Sequence, residues 1–322
     1  MRWSHLLLLI GLGASAVLAW LSDQIDQYFV LVLMLIGINV ILATSLNLIN
    51  GHTGQFSLGH AGFMAVGAYS SVAITKFLGP SILSSLGGSS VFTTHALFLC
   101  ALGAGGLMAA LIGFLVGVPS LRVKGDYLAI VTLGFGEIIR VIIQNTDAIG
   151  GSRGISGIPQ YANLFWTFAL ASITIYVISS LVDSTYGRGF LAVRDDEAAA
   201  EAMGINTTKY KVLAFVLGAF FAGIAGALYA HYYSFITPEG FNFMKSVDIV
   251  VMVILGGMGN VFGVVVAAAG LTVLNEYLRS FEEYRMIVFS LLLIVLMILR
   301  PQGLLGGLRW PFSGRLRGER KS

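Results

Sequence analysis

Charged residues are scarce in this chain of 322 residues. Asp, Glu, Lys and Arg make up 11% of it, while 57% of its residues are hydrophobic. Ordinary soluble domains carry roughly 25% charged residues, with which they cover their surface. The composition therefore excludes an ordinary water-soluble fold and predicts a protein that spans a membrane.

Motifs for ATP hydrolysis and metal binding are also missing from the sequence. No Gly-Lys pair occurs, so the chain has no phosphate loop of the G-x-x-x-x-G-K-[ST] type. Neither H-E-x-x-H nor C-x-x-C is present, and the five histidines lie scattered without ligand spacing. The single cysteine, Cys100, can form no intrachain disulfide and is expected to be a small packing residue. We therefore predict no enzyme, no metal site and no cofactor.

Apolar runs of about 20 residues recur along most of the chain. They do not alternate with a period of two, and hydrocarbon requires every backbone N–H and C=O to be paired internally, so helices are predicted and a barrel is not. The predicted fold is all-α, a polytopic helical membrane protein with one domain over residues 1–322 and about ten spans. These spans are residues 6–22, 28–49, 57–77, 91–119, 126–146, 163–182, 210–233, 247–258, 261–278 and 285–300.

Basic residues set the predicted orientation, because cytoplasmic loops carry an excess of Lys and Arg. With ten spans both termini fall in the cytoplasm, including a basic tail over residues 301–322, and the predicted location is the inner (plasma) membrane. The basic residues gather in loops, which disfavours nucleic acid as a partner. The inside positions are Arg2, Arg122, Lys124, Arg188, Arg194, Lys209 and Lys211.

Glycine is abundant, with 40 residues. Gly113 and Gly117 have the four-residue spacing that lets membrane helices approach closely, and packing of this kind explains most glycines. The alternative is a glycine that breaks a helix beside a transport path. The best candidate is the run Gly256, Gly257, Met258, Gly259 and Asn260, which should interrupt a helix.

Acidic residues inside the predicted spans are rare. Only Glu137 lies well within a span, and Arg140 follows one helical turn later on the same face. We expect the two to form a structural ion pair, because a lone charge in the bilayer is costly. A proton relay is the less favoured alternative.

The longest charged interruption, residues 185–211, is here named the coupling segment. Asp195 or Asp196 can cap a short helix, Glu197 suits its first turn, and Gly204 provides a left-handed stop. Two isolated turns are marginally stable, so this helix should pack on a partner; a solvated loop is the alternative. The proposed docking residues are Arg194, Asp195, Asp196, Glu197, Ala198, Ala199, Glu201, Ala202 and Gly204.

Polar residues at the start of the third predicted span form a candidate transport path. Gln55, Ser57 and His60 could hydrogen-bond a polar solute, and Gly59 permits a broken helix. Packing between helices with polar side chains as hydrogen-bonding partners is the other interpretation. Gly256, Gly257, Gly259 and Asn260 complete the candidate path.

Three stretches resemble the permeases of branched-chain amino-acid (Liv-type) ABC importers. The longest is Gly125 to Arg140, and the others are Leu255 to Gly259 and Arg300 to Leu305. In addition, Glu197-Ala198-Ala199 followed by Gly204 resembles the Glu-Ala-Ala…Gly loop with which such permeases dock on their ATPase subunits. Together the matches run from about Asn47 to Leu305.

The resemblance implies an importer made of two homologous permeases, two ATPases that bind the ATP, and a periplasmic substrate-binding protein. This chain would be one permease, paired with a different homologue, and would move branched-chain or other hydrophobic amino acids by alternating access. A urea or short-chain amide permease of the same superfamily is the first alternative. A proton-coupled carrier is the second, and it is disfavoured because acids within the spans are scarce.

Overall fold

The computed structural model describes residues 2–85, 90–120 and 126–281, with isolated positions between 287 and 303. Over this part the chain is built from α-helices, apart from one two-stranded sheet, which confirms the predicted all-α class. The last predicted span at 285–300, the basic tail, the motif at Arg300 to Leu305, and the loop with Arg122 and Lys124 lie outside the continuously described residues. Of these, only isolated positions are described.

The helices follow the predicted spans closely, with most ends within three residues. The third helix begins at residue 60, not 57, because residues 54–59 before it are not helical. In chain order the helices are α1 (Arg2–Leu21), α2 (Gln27–Asn47), α3 (His60–Val72), α4 (Gly79–Ser85), α5 (Val91–Ser120), α6 (Asp126–Gln144), α7 (Leu164–Val182), α8 (Thr185–Asp195), α9 (Glu197–Ala202), α10 (Thr207–Tyr233), α11 (Phe243–Gly256) and α12 (Val261–Tyr277).

Six helical stretches of the described residues are long and apolar enough to cross a membrane. They are Gln27–His52, His60–Ile82, Val91–Pro119, Tyr127–Gln144, Leu164–Val182 and Thr207–Tyr233. Leu8–Leu21 and Val261–Tyr277 are apolar but shorter. Helix α11 has 14 residues, about 21 Å at the rise of an α-helix, which is less than the hydrocarbon thickness of about 30 Å. The count of ten spans therefore stays a prediction.

The centre of the bundle is formed by α2, α3 and α10, which pack through glycines. A Cβ atom added at Gly67 of α3 would lie 2.2 Å from Gly223 Cα of α10. A Cβ added at Gly226 would lie 2.0 Å from the carbonyl oxygen of Met64. The backbones of α3 and α10 thus touch, as small residues allow in membrane helices. The predicted pair Gly113 and Gly117 serves the same purpose, since both face Phe215 of α10.

The bundle has two distinct ends. Helices α7 and α10 are joined through α8 and α9 at one end, here called the coupling end. At the other ends of α7 and α10 lies a small antiparallel sheet, in which Ile155 pairs with Ile236 and Ser156 with Phe235. This second end is called the sheet end. Cys100 is exposed on α5, so the expectation that it is a packing residue was wrong.

We predict that Gly67→Ala lowers the melting temperature of the detergent-solubilised protein. The added methyl group would collide with backbone atoms of Gly223, and overpacking of this kind costs about 1–3 kcal/mol. Gly103→Ala is the matched control, because an added Cβ there meets no described atom within 4 Å. Equal melting temperatures for the two variants would contradict the close α3–α10 contact.

Candidate functional site

The first element of the site is a break between α2 and α3. Helix α2 passes into one π-helical turn over Leu48–His52, and α3 begins at His60. Gly54 adopts a positive φ of 69°, a conformation that glycine adopts without steric cost. A Cβ added at Gly59 would lie 2.3 Å from the carbonyl oxygen of Thr132 in α6. The candidate path residues Gln55, Ser57 and Gly59 therefore lie in a non-helical segment.

Side chains replace the helical hydrogen bonds that this first break removes. Asn50 Oδ1 accepts a bond from the backbone N–H of Ser57 at 3.2 Å. Thr132 Oγ1 accepts one from Leu58 N–H at 3.0 Å. These bonds matter because an unpaired backbone group in hydrocarbon costs several kcal/mol.

The second break lies between α11 and α12. Helix α11 ends at Gly256, and Gly257 and Gly259 have positive φ values of 94° and 84°. Asn260 then caps α12, with its Oδ1 accepting from Gly263 N–H at 3.2 Å. The predicted interruption of a helix at these residues is therefore present in the structure.

The two breaks touch each other. A Cβ added at Gly51 would lie 2.2 Å from the backbone nitrogen of Gly259. That same nitrogen donates to Asn47 Oδ1, at the end of α2, at 2.8 Å. The two predicted halves of the candidate path are thus one contiguous structure.

Several buried polar atoms around the breaks have no hydrogen-bond partner among the described residues. They belong to the last turns of α2, to the π-helical turn, and to the segment that leads into α3. Buried polar groups are usually paired, and an unpaired one costs about 1–3 kcal/mol. The atoms are Thr44 Oγ1, Asn47 Nδ2, Asn50 Nδ2, His52 Nδ1 and Nε2, Ser57 Oγ and His60 Nδ1.

The coupling segment contains two helices where the sequence predicted one. Asp196 has an extended backbone, with φ of −160°, and separates α8 from α9. Its side chain accepts a hydrogen bond from Ala199 N–H at 3.0 Å, and Gly204 has a φ of 81°. The cap and the left-handed stop thus lie where the sequence placed them. The added helix, α8, buries Phe190 and Val193, whose apolar spacing the sequence analysis had not used.

The acidic side of α9 is held by its own chain. Lys211 Nζ at the start of α10 lies 2.6 Å from Glu197 Oε1, and the Lys211 side chain is only 8% exposed. Thr207 Oγ1 donates to Glu201 Oε1 at 2.7 Å. The opposite side is open: Ala198, Ala199 and Ala202 are exposed. Met203 after them is 82% exposed.

Arg194, the penultimate residue of α8, contacts both breaks. Its Nη1 donates to the carbonyl oxygen of Gly51 at 3.4 Å. A Cβ added at Gly54 would lie 3.0 Å from Arg194 Cγ, and one added at Gly259 would lie 3.2 Å from Arg194 Nη1. The Nε and Nη2 atoms hold Asp195 Oδ1 at 3.1 and 3.0 Å. One side chain therefore joins the coupling segment to the α2–α3 break and to the α11–α12 break.

A cavity of about 350 Å³ lies between the coupling segment and the first break. Gln55 and neighbouring residues of the break line one side of it, and residues 193–197 line another. Lys211 and Leu128 complete the lining. The cavity thus brings the predicted docking residues and part of the predicted path to one place.

The Glu137–Arg140 pair lies elsewhere on α6. Arg140 Nε and Nη2 are 2.8 and 2.7 Å from Glu137 Oε2, and both side chains are partly exposed. Glu137 borders a crevice shared with Asn242 and Ser246, at the start of α11. The pair is therefore separate from the cavity that the coupling segment lines.

Sequence reasoning missed a polar contact near the ends of α11 and α12 that lie away from the second break. Lys245 Nζ donates to Asn39 Oδ1 at 3.3 Å, and Asn39 Nδ2 donates to Thr272 Oγ1 at 2.9 Å. These bonds join α11 to α2 and α12. The available signal was a lysine directly before an apolar run, because a charge at the edge of a membrane segment needs water or a partner. Within the described part of the chain, no three His, Cys, Asp or Glu residues form a group that could hold a metal ion.

The fold and this site define a class: a multi-pass helical membrane protein with broken helices and a short helix protruding at one end. The chain belongs to the family described as the permease component of the branched-chain amino acid transport system, whose model matches residues 28–297. This confirms the resemblance read from the sequence.

Individual relatives agree with this family. LivM of Salmonella typhimurium, a high-affinity branched-chain amino acid transport system permease protein, is 39% identical over 66% of this chain and 59% of its own length. LivM of Escherichia coli is 40% identical, with 62% and 55% covered. LivH of Salmonella typhimurium, another permease protein of such a system, is 31% identical over 49% of this chain and 52% of its own length. The chain thus spans less than two thirds of these relatives. No solved structure is significantly similar to it.

A double-mutant cycle tests the anchor of α9. We predict that Glu197→Gln and Lys211→Met are coupled by about 1–2 kcal/mol in the free energy of unfolding, because either change alone leaves a poorly hydrated charge without its partner. The control is Glu276–Arg279, whose Arg279 side chain is 66% exposed. The Glu276 side chain is only 14% exposed, but its partner Arg279 stays hydrated, so we expect a coupling of about 1 kcal/mol or less. Equal coupling in the two cycles would remove the special role of Lys211.

Proposed function

We propose that this chain is a membrane-spanning permease subunit of an ATP-driven importer in the inner (plasma) membrane. It would move branched-chain or other hydrophobic amino acids inward by alternating access. Its partners would be a second, homologous permease, two ATP-binding-cassette subunits and a periplasmic substrate-binding protein. ATP would be bound by the ATPases, and this chain would perform no covalent chemistry.

The observation that carries the proposal is the way α9 is mounted. A helix of six residues is too short to be stable alone, yet α9 is capped by Asp196 and fixed to α10 through Glu197 and Lys211. Ala198, Ala199, Ala202 and Met203 remain exposed in this chain. A fixed base with a small, apolar outer surface suits a helix that lies in a groove of another protein. We assign this outer surface to the ATPase.

Motion would pass from α9 to the two breaks through Arg194. When the ATPases close on ATP, the docked α9 moves, and α8 moves with it. Arg194 would then displace Gly51, Gly54 and Gly259, which lie in or beside the two breaks. Broken helices beside a path are common in transporters, because the ends of half-helices can rearrange without unfolding a whole span.

The buried polar atoms of the first break support a path at this place. Asn50, His52, Ser57 and His60 each keep at least one side-chain atom without a partner in the described residues. A polar solute that passes between the breaks would supply hydrogen bonds to such groups. In this assignment Gln55 lies nearest the coupling end, where it lines the cavity.

The orientation follows from the same assignment. If α9 meets cytoplasmic ATPases, then the coupling end faces the cytoplasm and the sheet end faces the periplasm. The positive-inside pattern supports this, since Arg188, Arg194, Lys209 and Lys211 all lie in the coupling segment. Both termini would be cytoplasmic. The relatives include both LivM and LivH permease proteins, which supports pairing with a different homologue.

Reversal of one charge at the base of α9 should uncouple transport. We predict that Glu197→Lys abolishes the substrate-stimulated ATP hydrolysis of the reconstituted importer, because it places two ammonium groups at the contact that now measures 2.6 Å. Glu197→Gln keeps a hydrogen-bond acceptor and should retain part of the stimulation. Full stimulation of the Glu197→Lys variant, with normal membrane insertion, would exclude α9 from the mechanism.

The stop after α9 offers a second test. We predict that Gly204→Val abolishes stimulation and that Gly204→Asn retains it, because asparagine tolerates a positive φ and valine does not. An added Cβ at Gly204 meets no described atom within 4 Å, so steric collision cannot explain a difference. Equal activities of the two variants would contradict a role for this turn.

The energy source and the substrate class are tested by uptake into vesicles. Uptake should stop when ATP hydrolysis is blocked while the proton gradient is maintained, whereas a proton-coupled carrier would continue. Labelled leucine, isoleucine and valine should enter, and unlabelled urea or acetamide should not compete. Competition by urea would instead favour the amide permease.

A further inference from the structure

The cavity at the coupling end combines charged, amide and apolar groups in its lining. Its volume of about 350 Å³ falls within the range of about 300–1,000 Å³ typical of small-molecule sites. Several of its charged side chains also hold α8 and α9 in place. The charged groups are Arg194, Lys211, Asp195, Asp196 and Glu197.

The polar groups of the lining match the two ends of an amino acid. Arg194 and Lys211 are cationic and can bind a carboxylate. An ammonium group has three donor hydrogens, so Lys211 can hold Glu197 and still donate to a ligand. Asp195, whose Oδ1 is held by Arg194, can also accept from an ammonium group, because its side chain is 68% exposed.

The remaining lining suits an apolar side chain. Phe56, Leu128 and Val193 come from the first break, from α6 and from α8, so they surround the cavity from three elements. Leu128 and Val193 are each 4% exposed and thus belong to the packed wall. Gln55 adds an amide that can donate to a carboxylate.

We propose that this cavity binds a zwitterionic amino acid with an apolar side chain on the coupling side, and that its occupancy slows the next transport cycle. This inference rests on the proposed importer function. The bound carboxylate would bridge Lys211 and Arg194, the two residues that tie α9 and α8 to the rest of the bundle. A ligand between them would hold the coupling segment against the first break. Accumulated product would thereby restrain its own import.

Binding can be measured on the full chain assembled with its partners in lipid nanodiscs, without ATP or binding protein. The probes are labelled L-leucine, 4-methylpentanoate, which lacks the amine, and 3-methylbutylamine, which lacks the carboxylate. We expect millimolar or tighter binding of leucine and at least about tenfold weaker binding of each analogue, since each loses a charge-assisted contact. No leucine binding, or equal binding of the amine, would overturn the proposal.

Variants locate the site. Leu128→Trp should fill the cavity and abolish leucine binding, whereas Ile130→Trp, two residues further along α6 and 65% exposed, should not. Lys211→Met adds no bulk, and it should remove the preference of the protein for leucine over 3-methylbutylamine. Leucine binding that survives Leu128→Trp, or that is lost equally in the Ile130→Trp variant, would place the ligand elsewhere and overturn the proposal.

The regulatory part has its own readout. Leucine added on the ATPase side of the reconstituted importer should reduce stimulated ATP hydrolysis severalfold in the wild type and in Ile130→Trp, but not in Leu128→Trp. Unchanged hydrolysis in the wild type would overturn the regulatory role. If uptake is driven by ATP but leucine does not bind, the site is rejected and the importer function stands. If leucine binds but uptake is not driven by ATP, the importer function is rejected and the binding site stands.

Discussion

The contact between the two helix breaks is the constraint on which the rest of the site depends. In hydrocarbon a broken helix is tolerated only if its freed backbone groups find partners within the protein. Here Asn47 takes the N–H of Gly259, while Asn50 and Thr132 take those of Ser57 and Leu58. The glycines bring the backbones close enough for these bonds. A side chain at Gly51 would separate them, because an added Cβ meets Gly259 N at 2.2 Å.

The coupling segment lies beside this contact between the two breaks. Arg194 reaches both breaks from the end of α8, and Lys211 secures α9 from the start of α10. Under the proposed mechanism, a displacement of α9 would be transmitted through Arg194 to the two breaks. In the proposed importer, the ATPase would act on α9 and the solute would respond at the breaks. The cavity lies between these two points, which is where a ligand can oppose the movement.

Much of the fold could be predicted from the sequence, because apolar runs and capping residues act locally. The long spans, the Asp196 cap and the stop at Gly204 follow from short-range patterns. The break at Gly256 to Asn260 was predicted for the same reason, since glycine and asparagine disfavour a helix within a few residues. The docking and path roles of these residues remain proposals.

Contacts between distant segments could not be predicted. Arg194 and Gly51 are 143 residues apart, and Lys245 and Asn39 are 206 apart. Their pairing depends on how the helices pack, which one sequence does not specify. Residues 57–59 were predicted to be helical but are not, because Asn50 and Thr132 accept the hydrogen bonds of Ser57 and Leu58 N–H. The ion pair of Glu137 and Arg140 was expected because its partners are one turn apart, and the structure places them in contact.

The most direct test of the central claim compares two distances across the coupling end. In a Cys100→Ala background, spin labels would be placed at Met203 and Phe56, and in a second sample at Met203 and Leu115 of α5. If α9 moves together with the first break, trapping the ATPases with nucleotide should change the Met203–Leu115 distance and leave the Met203–Phe56 distance unchanged. A changed Met203–Phe56 distance with an unchanged Met203–Leu115 distance would contradict the account.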